Sequence, residues 1–115
     1  ILVMYAGRAV EYAPADEVFG HPQAPYTWGL LGSMPRLDRA PTDRLIPIKG
    51  SPPSLIQVPP GCPFNPRCAQ RDLVGSRCTT DRPEFRDTGG GHWVACHLSD
   101  ADRTRVWTEE IEPKL

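Results

Sequence analysis

The chain has 115 residues, a formal net charge of −1, 14 prolines and 10 glycines. This length corresponds to one small domain, and the high proline and glycine content predicts short elements joined by loops. The nearly balanced charge gives no general case for binding nucleic acid or an anionic membrane, and no apolar run is long enough to span a bilayer.

The first 12 residues predict a β-hairpin. The apolar run at residues 1–5 is typical of a strand buried on both faces, and Ala6 and Gly7 mark a turn. Residues 8–12 alternate between polar and apolar, which predicts a half-exposed strand. Because the chain opens on Ile1 inside this apolar run, we expect it to be a piece of a longer polypeptide.

Two short helices are predicted next. Residues 14–19 favour the first, because proline suits a first helical turn and because Asp16 and Glu17 favour the positive end of the helix dipole. The second is predicted to begin after Thr27, as its N-cap, and to reach Met34.

Residues 35–61 contain seven prolines and predict an extended, proline-rich strap that begins where Pro35 stops the second helix. A freely moving linker would not need apolar side chains, yet five interrupt this segment. We therefore expect the strap to lie along a surface, anchored by these residues: Ile46, Ile48, Leu55, Ile56 and Val58.

Four cysteines follow at the spacing C-x5-C-x9-C-x17-C: Cys62, Cys68, Cys78 and Cys96. The segment around them is poor in large apolar residues and needs a further stabilising element, and four thiols suffice for a tetrahedral metal ion or an iron–sulfur cluster. Two disulfides, or unrelated buried thiols, are the alternative. The lack of a visible secretion signal disfavours disulfides.

Spacing alone does not separate zinc from an iron–sulfur cluster. Zinc modules usually contain a tighter cysteine pair than C-x5-C, whereas a cluster tolerates wider spacing. His97 is an alternative ligand to its neighbour Cys96, although adjacent residues of a strand point to opposite faces. Nearby arginines either offset the charge of a cluster or are solvated surface charges: Arg67, Arg71 and Arg77.

The remaining elements are short. Residues 69–73 predict a helical turn, residues 89–91 a glycine-rich turn and residues 92–96 a strand. In the tail, Ser99 and Asp102 resemble a capping box before a weak amphipathic helix. No nucleophile–base pair and no glycine-rich phosphate loop stands out, so we expect no catalysis within this chain.

These elements together predict a small, loop-rich α+β fold: an N-terminal β-hairpin and short helices, a proline-rich strap, and a cysteine-liganded module.

Several stretches resemble a known family. Residues 3–11 and 15–19 resemble the last strands of an ABC-transporter nucleotide-binding domain. The sequence His-Pro-Gln-Ala-Pro-Tyr-Thr at residues 21–27 is similar to the HPY-type C-terminal extension of oligopeptide and dipeptide importer ATPases. The similarity continues through Pro-Pro-Gly-Cys-Pro-Phe at residues 59–64 and Val-Ala-Cys-His-Leu at residues 94–98.

The resemblance implies four segments: residues 1–20 end the nucleotide-binding domain, 21–61 form the HPY segment and strap, 62–98 the four-cysteine module, and 99–115 a tail outside the resemblance. In some members of the family the four cysteines hold a [4Fe–4S] cluster, which here assigns Cys62, Cys68, Cys78 and Cys96 as ligands. The stretch between Cys68 and Cys78 is longer than in many relatives, and this difference affects the expected geometry of the third ligand, Cys78.

The resemblance also implies partners and a place in the cell. The parent protein would hydrolyse ATP to import peptides at the cytoplasmic face of the cell membrane, beside a second ATPase subunit and membrane subunits, with ATP and Mg²⁺ bound outside this chain. We expect a structural or regulatory role here, with no nucleic-acid partner. The alternatives are a zinc-binding interaction module or a redox or iron sensor that gates transport. The isolated chain is expected to self-associate through residues 1–5.

Overall fold

A four-stranded antiparallel sheet organises the fold. The computed structural model describes residues 1–33 and 47–114. Within them, the strands are β1 (Leu2–Tyr5), β2 (Arg8–Tyr12), β3 (Phe85–Asp87) and β4 (Trp93–Ala95), and they lie in the order β1-β2-β4-β3. The predicted α+β class is confirmed.

The predicted hairpin is confirmed as β1 and β2. Ala6 and Gly7 have φ angles of 51° and 75°, which suits the tight turn between two antiparallel strands. The prediction that the first strand is buried on both faces is wrong. Val3 and Tyr5 are buried, while Leu2 and Met4 are each 51% exposed, because one face of β1 packs on the core and the other is left uncovered by the described residues.

The hairpin and the cysteine segment share one sheet. Glu11 of β2 is paired with Val94 of β4, and Tyr12 with Trp93. The predicted strand at residues 92–96 is therefore confirmed as β4, and it extends the sheet that the hairpin begins. Strand β3, which pairs with the other edge of β4, was not predicted.

Both predicted helices form. Helix α1 spans Ala15–Gly20, with His21 at its C-cap. Helix α2 spans Pro25–Ser33, so Thr27 is a buried residue inside the helix and the prediction that it caps the helix is wrong. The helix begins at Pro25 because proline is well suited to a first turn. The predicted end at Met34 lies outside the described residues.

The strap is described only from residue 47 onward, where it has no helix or strand, and Pro35, Pro41 and Ile46 lie outside the described residues. Ile48 contacts α2 so closely that a Cβ on Gly29 would lie 2.8 Å from its Cγ1. Leu55 and Ile56 are 73% and 92% exposed, so their prediction as anchors is wrong. Ile48, which was also predicted to be an anchor, makes the contact with α2, so its prediction is confirmed.

Besides strands β3 and β4, the cysteine segment and the tail contain short helical elements. The helical turn predicted at residues 69–73 is found at Arg71–Val74, so it starts two residues later than expected. Ser99 caps the tail helix, because its side chain accepts a hydrogen bond from the backbone N–H of Asp102 over 3.1 Å. These elements are a 3₁₀ turn (Asn65–Arg67), α3 (Arg71–Val74), α4 (Arg77–Thr80), α5 (Asp100–Val106), a π turn (Trp107–Ile111) and a final 3₁₀ turn (Glu112–Lys114).

Within residues 1–33 and 47–114, two apolar clusters contribute to the core. One joins Trp28 of α2 to Leu98 and to Val106 and Trp107 at the end of α5. The other joins Val3, Ala13 and Val18, and it lies between the hairpin and α1. The tail thus contributes directly to the core. In the described part of the chain, no helix has both the length and the apolar character needed to cross a membrane.

Candidate functional site

All four cysteines line one cavity of about 530 Å³. They reach it from different elements: Cys62 and Cys68 from the two ends of one loop, Cys78 from α4, and Cys96 from the end of β4. The hairpin and α2 supply other parts of the wall, through residues such as Val10 and Tyr26. Segments distant in the sequence therefore build the cavity together.

Asn65 fixes the loop that carries the first two cysteines. Its buried Nδ2 donates to the carbonyl oxygens of Pro60 at 3.2 Å and Cys62 at 2.9 Å. Its backbone N–H also donates to the Cys62 carbonyl oxygen, and its own carbonyl oxygen accepts a hydrogen bond from the backbone N–H of Cys68. The loop is thereby closed on itself, which holds both cysteines at the cavity.

A second contact joins this loop to α4. The backbone N–H of Cys62 donates to the carbonyl oxygen of Cys78 over 2.9 Å. Gly61 makes the approach possible, because its φ of 75° suits glycine and an added Cβ would lie 2.5 Å from the same oxygen.

Three aromatic rings close another side of the cavity. The ring of Tyr5 lies 4.6 Å from that of Tyr26 and 5.2 Å from that of Phe64, centroid to centroid. The Arg67 guanidinium lies 5.9 Å above the Tyr5 ring, and its Nε donates to the Lys49 carbonyl over 2.9 Å. The hairpin, α2, the strap and the cysteine loop meet at these contacts.

Each of the four cysteines is a free thiol. Burial is the main cause that raises the pKa of Cys62 to about 11 and that of Cys68 to about 12. Burial also raises the pKa of Cys78 and Cys96. Without a bound cation, these thiols are therefore neutral at physiological pH.

Every pair of these thiols is close enough to interact electrostatically. The charges of Cys78 and Cys96 raise the pKa of Cys62, those of the three other cysteines raise the pKa of Cys68, and that of Cys96 raises the pKa of Cys78. Mutual repulsion of this kind is relieved when a cation is bound between the sulfurs.

Backbone amides point at three of the sulfurs from two residues downstream. Cys62 receives a hydrogen bond from the N–H of Phe64, and Cys96 from that of Leu98, and both lower the cysteine's pKa. The N–H of Gln70 donates to the Cys68 sulfur over 3.4 Å. Such donors stabilise a thiolate and are among the features that tune thiolate-bound centres.

No set of three or more His, Cys, Asp or Glu side chains in residues 1–33 and 47–114 is arranged so that it could hold a single metal ion. The geometry brings the four cysteines to one cavity without completing such a site. Their assignment as metal or cluster ligands stays a prediction.

The other predicted participants lie in different places. Arg77 lowers the pKa of Cys78 through its charge. Arg67 and Arg71 instead donate to backbone carbonyl oxygens, of Lys49 and of Asn65 respectively. The alternative ligand His97 has its Nε2 2.5 Å from the Asp81 carbonyl oxygen.

The burial of two charged residues was not predicted from the sequence. Arg103, in the tail, is 2% exposed and lowers the pKa of Cys96. Glu11, in the hairpin, is fully buried and contacts His92 just before β4. In the sequence Glu11 is the charged residue of an alternating strand and Arg103 lies among other polar residues, so neither position carries a local signal of burial.

Comparison with known proteins identifies the family. A model described as the C-terminal region of oligopeptide/dipeptide transporters matches residues 10–73. The chain belongs to this family. The match includes Cys62 and Cys68, while Cys78 and Cys96 lie beyond it.

Relatives of this family extend the similarity. The oligopeptide transport ATP-binding protein OppD of Mycobacterium tuberculosis is 49% identical over 115 residues, covering 94% of this chain and 18% of that protein. The dipeptide transport ATP-binding protein DppD of Bacillus subtilis is 45% identical, covering 87% of this chain and 29% of its own length. The dipeptide transport ATP-binding protein DppF of Escherichia coli is 41% identical, covering 89% of this chain and 29% of its own length. The chain thus spans less than a third of the length of each of these relatives.

Proposed function

We propose that this chain is the C-terminal region of the ATP-binding subunit of a peptide ABC importer, and that its cysteines hold a [4Fe–4S] cluster that stabilises the region. The family match and the names of the relatives, each an ATP-binding protein for oligopeptide or dipeptide transport, support the first part. The observation that carries the second part is that all four thiols line one cavity.

The family resemblance favours a cluster over a zinc ion, because in some members of the family the four cysteines of this extension hold a [4Fe–4S] cluster. A cluster distributes its four thiolates over separate irons of a cube, so it tolerates the wide C-x5-C spacing of Cys62 and Cys68.

The cluster would cross-link the elements of residues 62–98. The cavity lies between the cysteine loop, α4 and β4. When bound, the cluster supplies four covalent links to Cys62, Cys68, Cys78 and Cys96. The cysteines must give up their protons, and the backbone N–H groups at three sulfurs favour the resulting thiolates.

We place the region at the cytoplasmic face of the cell membrane, where it contacts a second ATPase subunit and the membrane subunits. ATP hydrolysis belongs to other parts of the parent polypeptide. The glycine turn at residues 89–91 supports this division, because it leads into strand β4 and not into the helix that a phosphate-binding loop requires.

Anaerobic purification with metal and sulfide analysis tests the cluster. We expect brown protein with iron and acid-labile sulfide in equal amounts. Each Cys→Ser variant at Cys62, Cys68, Cys78 and Cys96 should lose both, whereas Thr79→Ser, an exposed change beside Cys78, should retain them. Colourless protein with stoichiometric zinc would replace the cluster by the zinc module, and intact disulfides would overturn both.

A further inference from the structure

Two of the four cysteines, Cys62 and Cys78, are in direct backbone contact. The N–H of Cys62 donates to the carbonyl oxygen of Cys78 over 2.9 Å. Gly61 lies so close to the same segment that an added Cβ would be 2.5 Å from the Cys78 oxygen and 2.7 Å from the Thr79 carbonyl carbon. Among the described residues, no backbone hydrogen bond joins any other two cysteines directly. This contact therefore sets one pair apart from the rest.

Backbone contact of this kind fits the geometry of a disulfide. Residues that share a backbone hydrogen bond across two strands have Cα atoms roughly 5.5 Å apart, and the Cα atoms of a disulfide are usually about 4.4–6.8 Å apart. Cys62 and Cys78 are both free thiols, and both line the cavity of the four cysteines. A bond between their sulfurs would therefore need little movement of the backbone.

The pair that is nearest in the sequence, Cys62 and Cys68, lacks this contact. Both are hydrogen-bonded to Asn65, whose N–H donates to the Cys62 carbonyl oxygen and whose carbonyl oxygen accepts from the N–H of Cys68. In an unfolded chain the order of preference is different, because shorter loops close more readily. The folded chain is therefore expected to pair Cys62 with Cys78, and the unfolded chain to pair cysteines that are closer in the sequence.

From this geometry we propose that Cys62 and Cys78 form a reversible disulfide in the metal-free chain, with a low-molecular-weight disulfide as the oxidant. Cys62 is only half-buried, so it attacks one sulfur of the oxidant, forms a mixed disulfide and releases one small thiol. Cys78, which is buried, then attacks the Cys62 sulfur and releases the second small thiol. The two cysteines are oxidised, the oxidant is reduced, and the two cysteine protons end on the released thiols.

This disulfide would regulate the cysteine site, a consequence that rests on the proposed cluster. Iron is bound by thiolates, and a sulfur that is part of a disulfide is not available as one. Oxidation of the empty site would therefore prevent cluster assembly until a thiol reductant restores Cys62 and Cys78. The cysteine loop would stay against α4 in the meantime, because the bond joins segments that are already in contact.

Peptide mapping of the metal-free chain tests the pairing. The chain is equilibrated with mixtures of glutathione and glutathione disulfide, then alkylated and digested without reductant, both in the folded state and in urea. Cys68→Ser/Cys96→Ser keeps only the proposed pair, and Cys62→Ser/Cys78→Ser is the matched control that keeps the other two cysteines. Samples are compared at equilibrium, because buried thiols react slowly. Circular dichroism checks that each variant is folded.

We expect Cys62–Cys78 as the main disulfide of the folded wild-type chain, and its loss in urea in favour of pairs closer in the sequence. Cys68→Ser/Cys96→Ser should be oxidised at glutathione ratios that leave the control variant reduced. A different main disulfide in the folded wild type, or none at any ratio, overturns the inference, and this map decides alone if the variants do not fold. Anaerobically purified wild-type protein without iron would instead overturn the proposed cluster, while the Cys62–Cys78 map would still decide the pairing.

Discussion

Glu11 and His92 meet in the interior of the protein, with Oε2 of the carboxylate 2.5 Å from Nε2 of the imidazole. Glu11 is fully buried, and the same carboxylate accepts the backbone N–H groups of Gln23 at 2.8 Å and Ala24 at 3.0 Å. One side chain of the hairpin therefore holds the segment before α2 and the start of β4. Through β4 it also supports the position of Cys96.

Removal of this carboxylate should strongly destabilise the fold. Glu11→Ala leaves two backbone donors and His92 without their acceptor, and breaking a buried pair of this kind costs about 3–5 kcal/mol. Glu11→Gln should be milder because its amide keeps one acceptor oxygen. Urea unfolding measures both, with the exposed Glu109→Ala as control. Equal stability of Glu11→Ala and Glu109→Ala would contradict the role assigned to this carboxylate.

Gly61 should be irreplaceable for a steric reason. In Gly61→Ala the new Cβ would lie 2.5 Å from the Cys78 carbonyl oxygen, in addition to the strain of a φ of 75°. Gly75→Ala is the matched control, because its φ is 91° and no atom lies within 4 Å of the added Cβ. Strain alone accounts for about 1–3 kcal/mol in either variant. Thermal unfolding should show a larger loss for Gly61→Ala, and equal losses would exclude the clash.

The tail should contribute substantially to stability. The Trp107 ring stacks on Trp28 of α2 at 6.4 Å, and Trp107 is only 7% exposed. Trp107→Ala should therefore cost about 3–5 kcal/mol, the usual range for loss of a buried aromatic side chain. Trp93→Ala, at a position that is 37% exposed, should cost clearly less. Urea unfolding followed by circular dichroism compares them, and a smaller effect at Trp107 would mean that the tail is dispensable.

Local signals predicted the local structure. Ala6 and Gly7 marked the hairpin turn because few residues tolerate positive φ, and Ser99 marked the start of α5 because its hydroxyl satisfies a free amide at the helix end. The four cysteines were assigned to one module from their spacing, and the structure places all four along one cavity.

Burial that depends on distant partners was not predictable in this way. Glu11 looked like the polar residue of a half-exposed strand, and only its approach to His92, 81 positions away, explains its burial. Arg103 and Arg105 occupy similar positions in the sequence of α5, yet only Arg103 is buried. The difference arises from the packing of Val106 and Trp107 against α2, which fixes the face that α5 turns inward.

The metal-free chain should lose stability in alkaline solution. Burial raises the pKa of Cys62 to about 11 and that of Cys68 to about 12, from an ordinary value of 9.0. Above pH 9.0 the unfolded thiols therefore lose protons that the folded thiols retain, which favours the unfolded state. These two thiols leave stability unchanged below pH 9.0 and reduce it as the pH rises toward 11 and 12.

Urea unfolding under reducing conditions with a chelator measures this dependence. The double variant Cys62→Ala/Cys68→Ala should show a shallower decline over the same pH range. A wild-type chain that loses no more stability than this variant would mean that the two thiols are not desolvated in the folded protein.

Self-association should occur through β1. Among the described residues β1 pairs only with β2, so its other edge presents unpaired backbone groups, and Met4 adds an apolar side chain that is 51% exposed. An exposed apolar edge strand is a template for pairing with a second chain, and a lysine on such an edge blocks that pairing.

Sedimentation velocity over a range of concentrations should show the wild-type chain associating and Met4→Lys remaining monomeric. Leu55→Lys is the matched control, because Leu55 is a 73% exposed apolar residue outside any strand, and this variant should associate like the wild type. A monomeric wild-type chain at high concentration, or an equal effect of both lysines, would show that the β1 edge does not drive association.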